Sequence, residues 1–399
     1  MMDRVSSTEV SDLAICELKG SFEKIPYIKE LLPKDLSAYT QEVRDQVTFL
    51  LHSGQWHHAM ESLQVAKAKL GYLIPKYFPD KGGEAEACLN VLRSITLPSP
   101  PEAPAFTYLK GDAPEKGERS TITTLNANVL FMPDDYTWFF GGVRRFEERV
   151  DEVAAILLQE NADVISLQEV HSIDAAYALY ERLKGQYAHF YFNIGPDDLT
   201  QDLDAIQMNS GLFVASRDPI AHPRFIPFTM EGRQVGINKG FFEGTLMVGG
   251  KPFGQLYHTH LNPFETPVAQ RVRKEEAEMI VASMEHFPLF SVLLGDLNVN
   301  EGSKEWLDSP LSQKFIHNYP PGEGPTCTDT LGSIVETPRE DRKGFEPEGH
   351  VCDYALLFPK ASEVTITSRQ VKFYDLEDPE RAASDHQGVF STITKGLTD

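Results

Sequence analysis

Six separated stretches of this chain place a carboxylate, amide or imidazole at or beside an apolar, strand-like run. Asn128 sits in Ala127-Asn128-Val129, and Glu169 closes Val164-Ile165-Ser166-Leu167-Gln168. His260 lies in Thr259-His260-Leu261, Asp296 and Asn298 in Gly295-Asp296-Leu297-Asn298, and Asp353 in Cys352-Asp353-Tyr354. Asp385 and His386 open Ser384-Asp385-His386-Gln387-Gly388-Val389. Metal-dependent cleavage of a phosphoester needs these parts. It wants one or two hard carboxylates for Mg²⁺, a general base, and donors for charge developing at phosphorus. Asp296 and Asn298 fall on one side of an extended chain, so they can act on one bound group. Taken singly, each stretch is ordinary: an acid at a strand end, a Gly-Asp-Leu-Asn turn, a packed histidine. Their combination is what points to a hydrolytic site.

The elements that must carry these residues follow from hydrophobic period. Residues 121–130, 164–167, 190–193, 211–215, 241–248, 256–260, 290–294, 354–358, 364–371 and 389–393 read as strands. Residues 145–159, 175–183 and 268–284 repeat apolar side chains at helical spacing. Many strands with few intervening helices favour a two-sheet α/β core flanked by helices over a simple parallel sheet.

Residues 1–97 read differently. Val43, Val47, Leu50 and Leu51, then Leu63, Ala66, Leu70 and Leu73, recur at helical spacing, with Ser53-Gly54 as a break between runs. A further short helix is expected over about residues 84–93. His52, His57 and His58 beside Trp56 lack carboxylates at fixed offsets and read as surface or packed histidines. Leu97-Pro98-Ser99-Pro100-Pro101-Glu102-Ala103-Pro104 cannot join a helix or central strand. The expected division is a helical region at 1–97, a Pro-rich linker at 98–118 and a phosphoesterase domain at 119–399.

Composition narrows the function. The formal net charge of -22 repels polyanions at long range, so sequence-independent nucleic-acid binding is not expected. A bound cation would still invert the local field. Cys16, Cys88, Cys327 and Cys352 are dispersed, without zinc spacing, and read as buried or idle thiols. No secretory signal or 18-residue apolar run is visible, so a cytoplasmic protein or one peripheral to a membrane is expected.

In their order and neighbours, the six motifs resemble the endonuclease/exonuclease/phosphatase superfamily over about residues 121–393. Within it the chain most resembles neutral sphingomyelinases. The supporting text is Ala127-Asn128-Val129-Leu130-Phe131-Met132-Pro133-Asp134, Asn209-Ser210-Gly211-Leu212-Phe213 and Lys239-Gly240, with Gln270 and Arg271 in the helix after His260. The resemblance implies a DNase I-like four-layer α/β sandwich and a Mg²⁺ cofactor, for which Mn²⁺ can substitute. It implies metal binding by Glu169 with Asn128 and Asp385 beside it. His386 would be the general base, oriented by Asp353. Asp296 and Asn298 would align the nucleophile, and His260 would donate to a nonbridging oxygen. Asn209 and Lys239 would position the phosphate.

The expected reaction is hydrolysis of sphingomyelin to ceramide and phosphocholine, reached from the aqueous side of a membrane. Tyr136, Trp138, Phe139 and Phe140 are the candidate contact with lipid. A phosphoinositide or other phosphomonoester phosphatase is the alternative, a nuclease is disfavoured by acidity, and a dead scaffold would need a broken motif. Residues 328–349 read as a long surface loop beside the Asp353 motif, either a substrate-facing lid or a surface insertion.

Overall fold

The computed structural model describes residues 32–95, 105–133, 144–195, 208–228, 237–263, 266–317, 319, 323–328, 349–360, 363–375 and 381–396. The aromatic run at 136–140, most of the segment at 328–349 and the prolines at 98–104 lie outside the described residues.

The N-terminal region is helical. Helices α1 (Leu36–His52), α2 (Trp56–Ala68) and α3 (Gly82–Arg93) share one core built from Val43, Val47, Leu63, Leu70 and Leu89. Asp35 caps α1 by accepting from the Ala38 N–H at 2.9 Å. Gly54, at φ +74°, lets the chain turn between α1 and α2. His58, read as a surface or packed histidine, donates from Nε2 to Asp174 Oδ1 at 3.1 Å.

That larger domain stacks two mixed sheets. Its first nine strands are β1 (Thr107–Lys110), β2 (Thr121–Phe131), β3 (Val164–Val170), β4 (His189–Phe192), β5 (Phe213–Ser216), β6 (Ile220–Pro227), β7 (Gly240–Val248), β8 (Lys251–His260) and β9 (Ser291–Asp296). They are followed by β10 (Ile316–His317), β11 (Cys327–Thr328), β12 (Gly349–His350), β13 (Asp353–Phe358), β14 (Val364–Val371) and β15 (Gly388–Lys395). The first sheet runs β1-β4-β5-β3-β2-β15-β14, and the second β10-β13-β9-β8-β7-β6. Helices α4 (Phe146–Glu160) and α5 (Ile173–Leu183) cover the first sheet, through Val150, Val153, Leu157 and Leu179. Helix α6 (Pro267–Glu285) covers the second, through Ile280 and Met284 against Tyr257, Leu293 and Leu356. Between the sheets lie Ile122, Val164, Val214, Leu256, Val292, Leu294 and Ile393. The order helix, sheet, sheet, helix is the expected four-layer sandwich. β2 and β3 are buried along most of their length on both faces, although β2 carries Thr and Asn among its apolar residues.

One expectation needs adjustment, and one strand was not read from sequence. Residues 107–110 fall inside the stretch read as linker, yet they form β1, paired antiparallel with β4. Strand β6, with a bulge between Ala221 and Arg224, carried too weak an alternation to be read from sequence.

Sheet direction decides where the chemistry collects. β2 and β3 are parallel, as are β8 and β9, so Asn128, Glu169, His260 and Asp296 arrive at the same ends. β13 runs antiparallel to β9, which sets its first residue, Asp353, opposite Asp296. β15 runs antiparallel to β2, so the Asp385-His386 segment before it lies beside the end of β2.

Candidate active site

The backbone is bent where the site is built. Leu130, Glu169 and Asn298 hold left-handed φ values of +48°, +59° and +50°, unusual for residues with a β-carbon. Glu169 is the next-to-last residue of β3, and its carboxylate meets the Asn128 amide that also reaches Asp296 of the second sheet. Such strain persists only where surrounding contacts fix it.

Asn128 links the two sheets. Its amide nitrogen lies 2.8 Å from Glu169 Oε1 and 3.1 Å from Asp296 Oδ2, and its oxygen accepts from the Leu130 N–H at 3.2 Å. As placed, the amide clamps two carboxylates through its N–H groups rather than offering its oxygen outward. Asp296 also accepts from the Asn298 N–H at 2.9 Å, and the Asn298 amide donates to Leu261 O at 3.2 Å.

His386 and Asp353 form a buried pair. Nδ1 donates to Asp353 Oδ2 at 2.8 Å, and Nε2 lies 3.9 Å from Asp296 Oδ2. Burial opposes charge on His386, but Asp353, Asp296 and Asp385 together hold it well above the ordinary imidazole range. Burial pushes Asp353 up to about 6, opposed by its imidazole partner. Thr326 Oγ1, which no motif announced, accepts from the N–H groups of Cys352 and Asp353 at 2.9 and 3.0 Å.

His260 has the opposite character. Its Nε2 lies 3.6 Å from Asp296 Oδ2 and 4.0 Å from Glu169 Oε1, while Nδ1 is buried without a partner. Burial and then Lys239 lower its pKa well below the usual value, which favours the uncharged ring. The carboxylates favour the tautomer with hydrogen on Nε2, which gives one donor aimed at the centre.

The open faces of this cluster are few. The Glu169 and His386 side chains keep 20% and 13% exposure, against 2% for Asp296 and 0% for Asp353. Asp385, half-buried, accepts from Ser384 Oγ at 3.3 Å. Burial, and then Asp385, push Glu169 up to about 7. Glu169, whose proton affinity Asp385 helps to raise, offers hard oxygen at an opening beside a second carboxylate, and that donor set fits a divalent cation such as Mg²⁺. Asp296, Asp353 and His386 also approach one another closely enough to hold an ion. The Asp353–His386 hydrogen bond already occupies two of those ligand atoms, which favours the Glu169 and Asp385 side.

Asn209 and Lys239 lie beneath the site. Asn209 donates to His171 O at 2.9 Å and accepts from the Gly211 N–H at 2.8 Å. Lys239 is 1% exposed and its ammonium donates to Leu261 O at 2.8 Å and His260 O at 3.3 Å. Burial lowers Lys239 to about 8, against the pull of Glu276, Glu169 and Asp296. Both polar groups are therefore turned to the backbone that carries the cleft, instead of to solvent.

Sequence reading missed Arg149, a buried cation of α4. Its guanidinium donates to Val129 O at 2.9 Å and Leu130 O at 2.6 Å, and also to Ala383 O and Arg144 O. It thereby ties the end of β2 to the segment before Asp385, which Ser384 reinforces by donating to Asn128 O at 2.7 Å. An arginine inside an amphipathic helix gives no sequence signal for this, because the four acceptors it ties together are backbone carbonyls.

Residues 123–335, just over half of the chain, match the family model described as Endonuclease/Exonuclease/phosphatase family. The chain belongs to that family. It is 25% identical to sphingomyelin phosphodiesterase 3 of Homo sapiens over 263 residues, covering 59% of this chain and 40% of the relative. The Mus musculus protein of the same name is 27% identical over 255 residues, covering 54% and 38%. The chain thus spans well under half the length of these curated relatives. Among solved structures, beta toxin from Staphylococcus aureus, in a mutant form with bound magnesium ions, shares the fold. It superposes with a TM-score of 0.52 at 17% identity, covering 69% of this chain and 99% of the toxin. SmcL superposes with a TM-score of 0.51 at 19% identity, covering 69% and 99%.

Proposed function

We propose that this chain is a Mg²⁺-dependent phosphodiesterase of the phospholipase C type, hydrolysing sphingomyelin to ceramide and phosphocholine. The observation that carries the hydrolytic reading is the His386–Asp353 pair at 2.8 Å beside Asp296, facing the Glu169 carboxylate across one cleft. The lipid reading is supported by relatives named sphingomyelin phosphodiesterase 3 and by the acidic chain, whose net charge of -22 disfavours nucleic acid.

Glu169 would hold Mg²⁺ or Mn²⁺, with Asp385 and Asn128 beside it. When bound, the cation supplies Lewis-acid polarisation of a phosphoryl oxygen and offsets charge there. His386, neutral, accepts the proton of an attacking water through Nε2, and Asp353 fixes the tautomer and stabilises the imidazolium that forms. Asp296 and Asn298 orient that water, the first as acceptor. His260 donates its Nε2–H to a nonbridging oxygen as negative charge grows. In-line displacement then breaks the phosphorus–oxygen bond to ceramide, the departing oxygen takes a proton from solvent to become the ceramide hydroxyl, and His386 returns its proton to solvent. Lys239 acts through the carbonyls of His260 and Leu261, and Asn209 through the His171 turn next to Glu169.

Trp138, Phe139 and Phe140 remain the proposed contact with lipid, which places the enzyme at the periphery of a membrane. No helix of the described residues is long and apolar enough to cross one. Changing the three aromatics to Ser should weaken binding to vesicles while hydrolysis of a soluble short-chain substrate survives; unfolding would make them core instead. The deciding assay is product analysis on mixed vesicles carrying sphingomyelin and phosphoinositides. Phosphocholine release should dominate, because a phosphoinositide site needs several cations around its pocket. Inorganic phosphate as the main product would replace the lipid phosphodiesterase with a phosphatase.

A further inference from the structure

Two of the four cysteines meet beside the dyad. Cys327 Sγ and Cys352 Sγ lie 3.1 Å apart, inside normal contact for two sulfurs, and both are free thiols. Cys352 is buried and Cys327 is partly exposed, so one member can be reached by a small reagent. The two come from different segments: β11 pairs with β12 so that Cys327 faces His350, and Cys352 follows two residues later. Gly349 permits this approach, since a β-carbon there would come within 2.6 Å of Cys327 O.

Each cysteine is attached to one half of the catalytic pair. Cys352 immediately precedes Asp353, and both N–H groups are held by Thr326 Oγ1. Cys327 forms a β-bridge with His386, and the Gln387 N–H donates to Thr326 O at 2.6 Å. A change in the separation of the sulfurs is passed to the two residues that share the 2.8 Å hydrogen bond.

We infer that Cys327 and Cys352 are a thiol pair that a low-molecular-weight disulfide converts to an intramolecular crosslink, lowering turnover by displacing Asp353 from His386. In the first exchange the Cys327 thiolate attacks the small disulfide, forms a mixed disulfide and releases one small thiol. In the second the Cys352 thiolate attacks the Cys327 sulfur and releases the other. Two protein S–H bonds and the S–S bond of the small disulfide break, one protein S–S bond and two small-thiol S–H bonds form, the two protons end on the released thiols, and the two electrons lost by the cysteines reduce the added disulfide. Closing the gap to a bond of about 2.05 Å moves the segments together by about 1 Å. A displacement of that size at a catalytic pair costs on the order of 10²-fold in rate. The loss of turnover rests on the proposed hydrolytic function; the crosslink itself does not.

The test is to incubate the native full chain with oxidised glutathione, block remaining thiols with maleimide, and digest with trypsin without reduction. The expected product is peptide 315–339 joined to peptide 344–360, with turnover down by roughly 10- to 100-fold and restored by dithiothreitol. Cys327→Ser should keep its turnover under the same treatment, and Cys352→Ala supplies a second variant if the first folds poorly. Recovery of both cysteines as separate maleimide adducts, a persistent mixed disulfide, or pairing with Cys16 or Cys88 overturns the inference. A crosslinked protein with unchanged turnover overturns the coupling to the dyad. If the reduced protein has no phosphodiesterase activity, the proposed function fails, and the joined peptides still decide the thiol pair.

Discussion

His386 Nδ1 and Asp353 Oδ2 lie 2.8 Å apart although the residues belong to different strands' ends, 33 positions apart in the chain. The antiparallel partners β9–β13 and β2–β15 create that proximity, since each starts or ends at the same edge of the sandwich. Replacing His386 by Ala should lower kcat by on the order of 10²–10⁴, the range for a positioned proton acceptor. Steady-state rates on sphingomyelin vesicles check this, and a near wild-type rate would remove His386 from the mechanism.

The pH profile should carry the same pair. His386 must be neutral to accept a proton, and its neighbouring carboxylates raise its pKa despite burial. kcat/KM should therefore fall as pH drops through that raised value. Asp353→Asn removes the chief raising influence and should shift the acid limb to lower pH while also cutting turnover. A mutant whose acid limb stays in place would show that another group governs it.

Glu169 should report cation binding. Hydrolysis should stop in EDTA and return with Mg²⁺ or Mn²⁺. Saturating Mg²⁺ should also raise the melting temperature, because a ligand that binds only the folded state stabilises it. Glu169→Gln should abolish that thermal shift. Full turnover in EDTA would exclude the metal-assisted route.

Arg149 should matter to both fold and site. Arg149→Met leaves several carbonyls near Asn128 and Asp385 without a donor, at a cost on the order of 3 kcal/mol. The urea midpoint should fall with the slope unchanged. Arg149→Lys keeps the charge but loses the planar fork, so it should recover only part of the stability. An unchanged midpoint in Arg149→Met would show that water replaces the guanidinium.

His258 offers a separate reading of stability against pH. It is buried between the sheets, with Nε2 2.9 Å from Leu167 O on β3 and Nδ1 3.4 Å from Gln168 Nε2. Burial lowers it to about 4, below the unfolded value near 6.5, so the unfolded chain binds the proton more readily. The stability it contributes is fully present above about pH 6.5 and is lost as pH falls toward 4, by up to about 3 kcal/mol. Glu276, raised by burial to about 7, acts with the opposite sign. The checkable quantity is therefore the difference between wild type and His258→Gln: the wild type should lose more stability between pH 7 and pH 4.5. Parallel curves would contradict it.

Hydrophobic period and turn chemistry by themselves determined the principal strands, the flanking helices and the six polar motifs. Each of those signals is local: the short run at 164–167 reads as a buried strand from residue type alone, and the strand found there continues to Val170. β1 and β6 escaped because a four-residue edge strand beside prolines and a bulged strand carry little alternation. Only the tertiary structure decided how the polar groups divide their hydrogen bonds. Lys239 looked available for a phosphate, yet it is spent on two backbone carbonyls; Asn128 looked like a ligand, yet its amide joins Glu169 to Asp296. Arg149 and Thr326 carried no motif, because their partners are backbone atoms, which no sequence pattern marks. Cys327 and Cys352 read as unrelated thiols, and the pairing of β11 with β12 is what brings their sulfurs into contact. Local chemistry is written in residue type, while the distance between groups from distant segments is set by strand order and register.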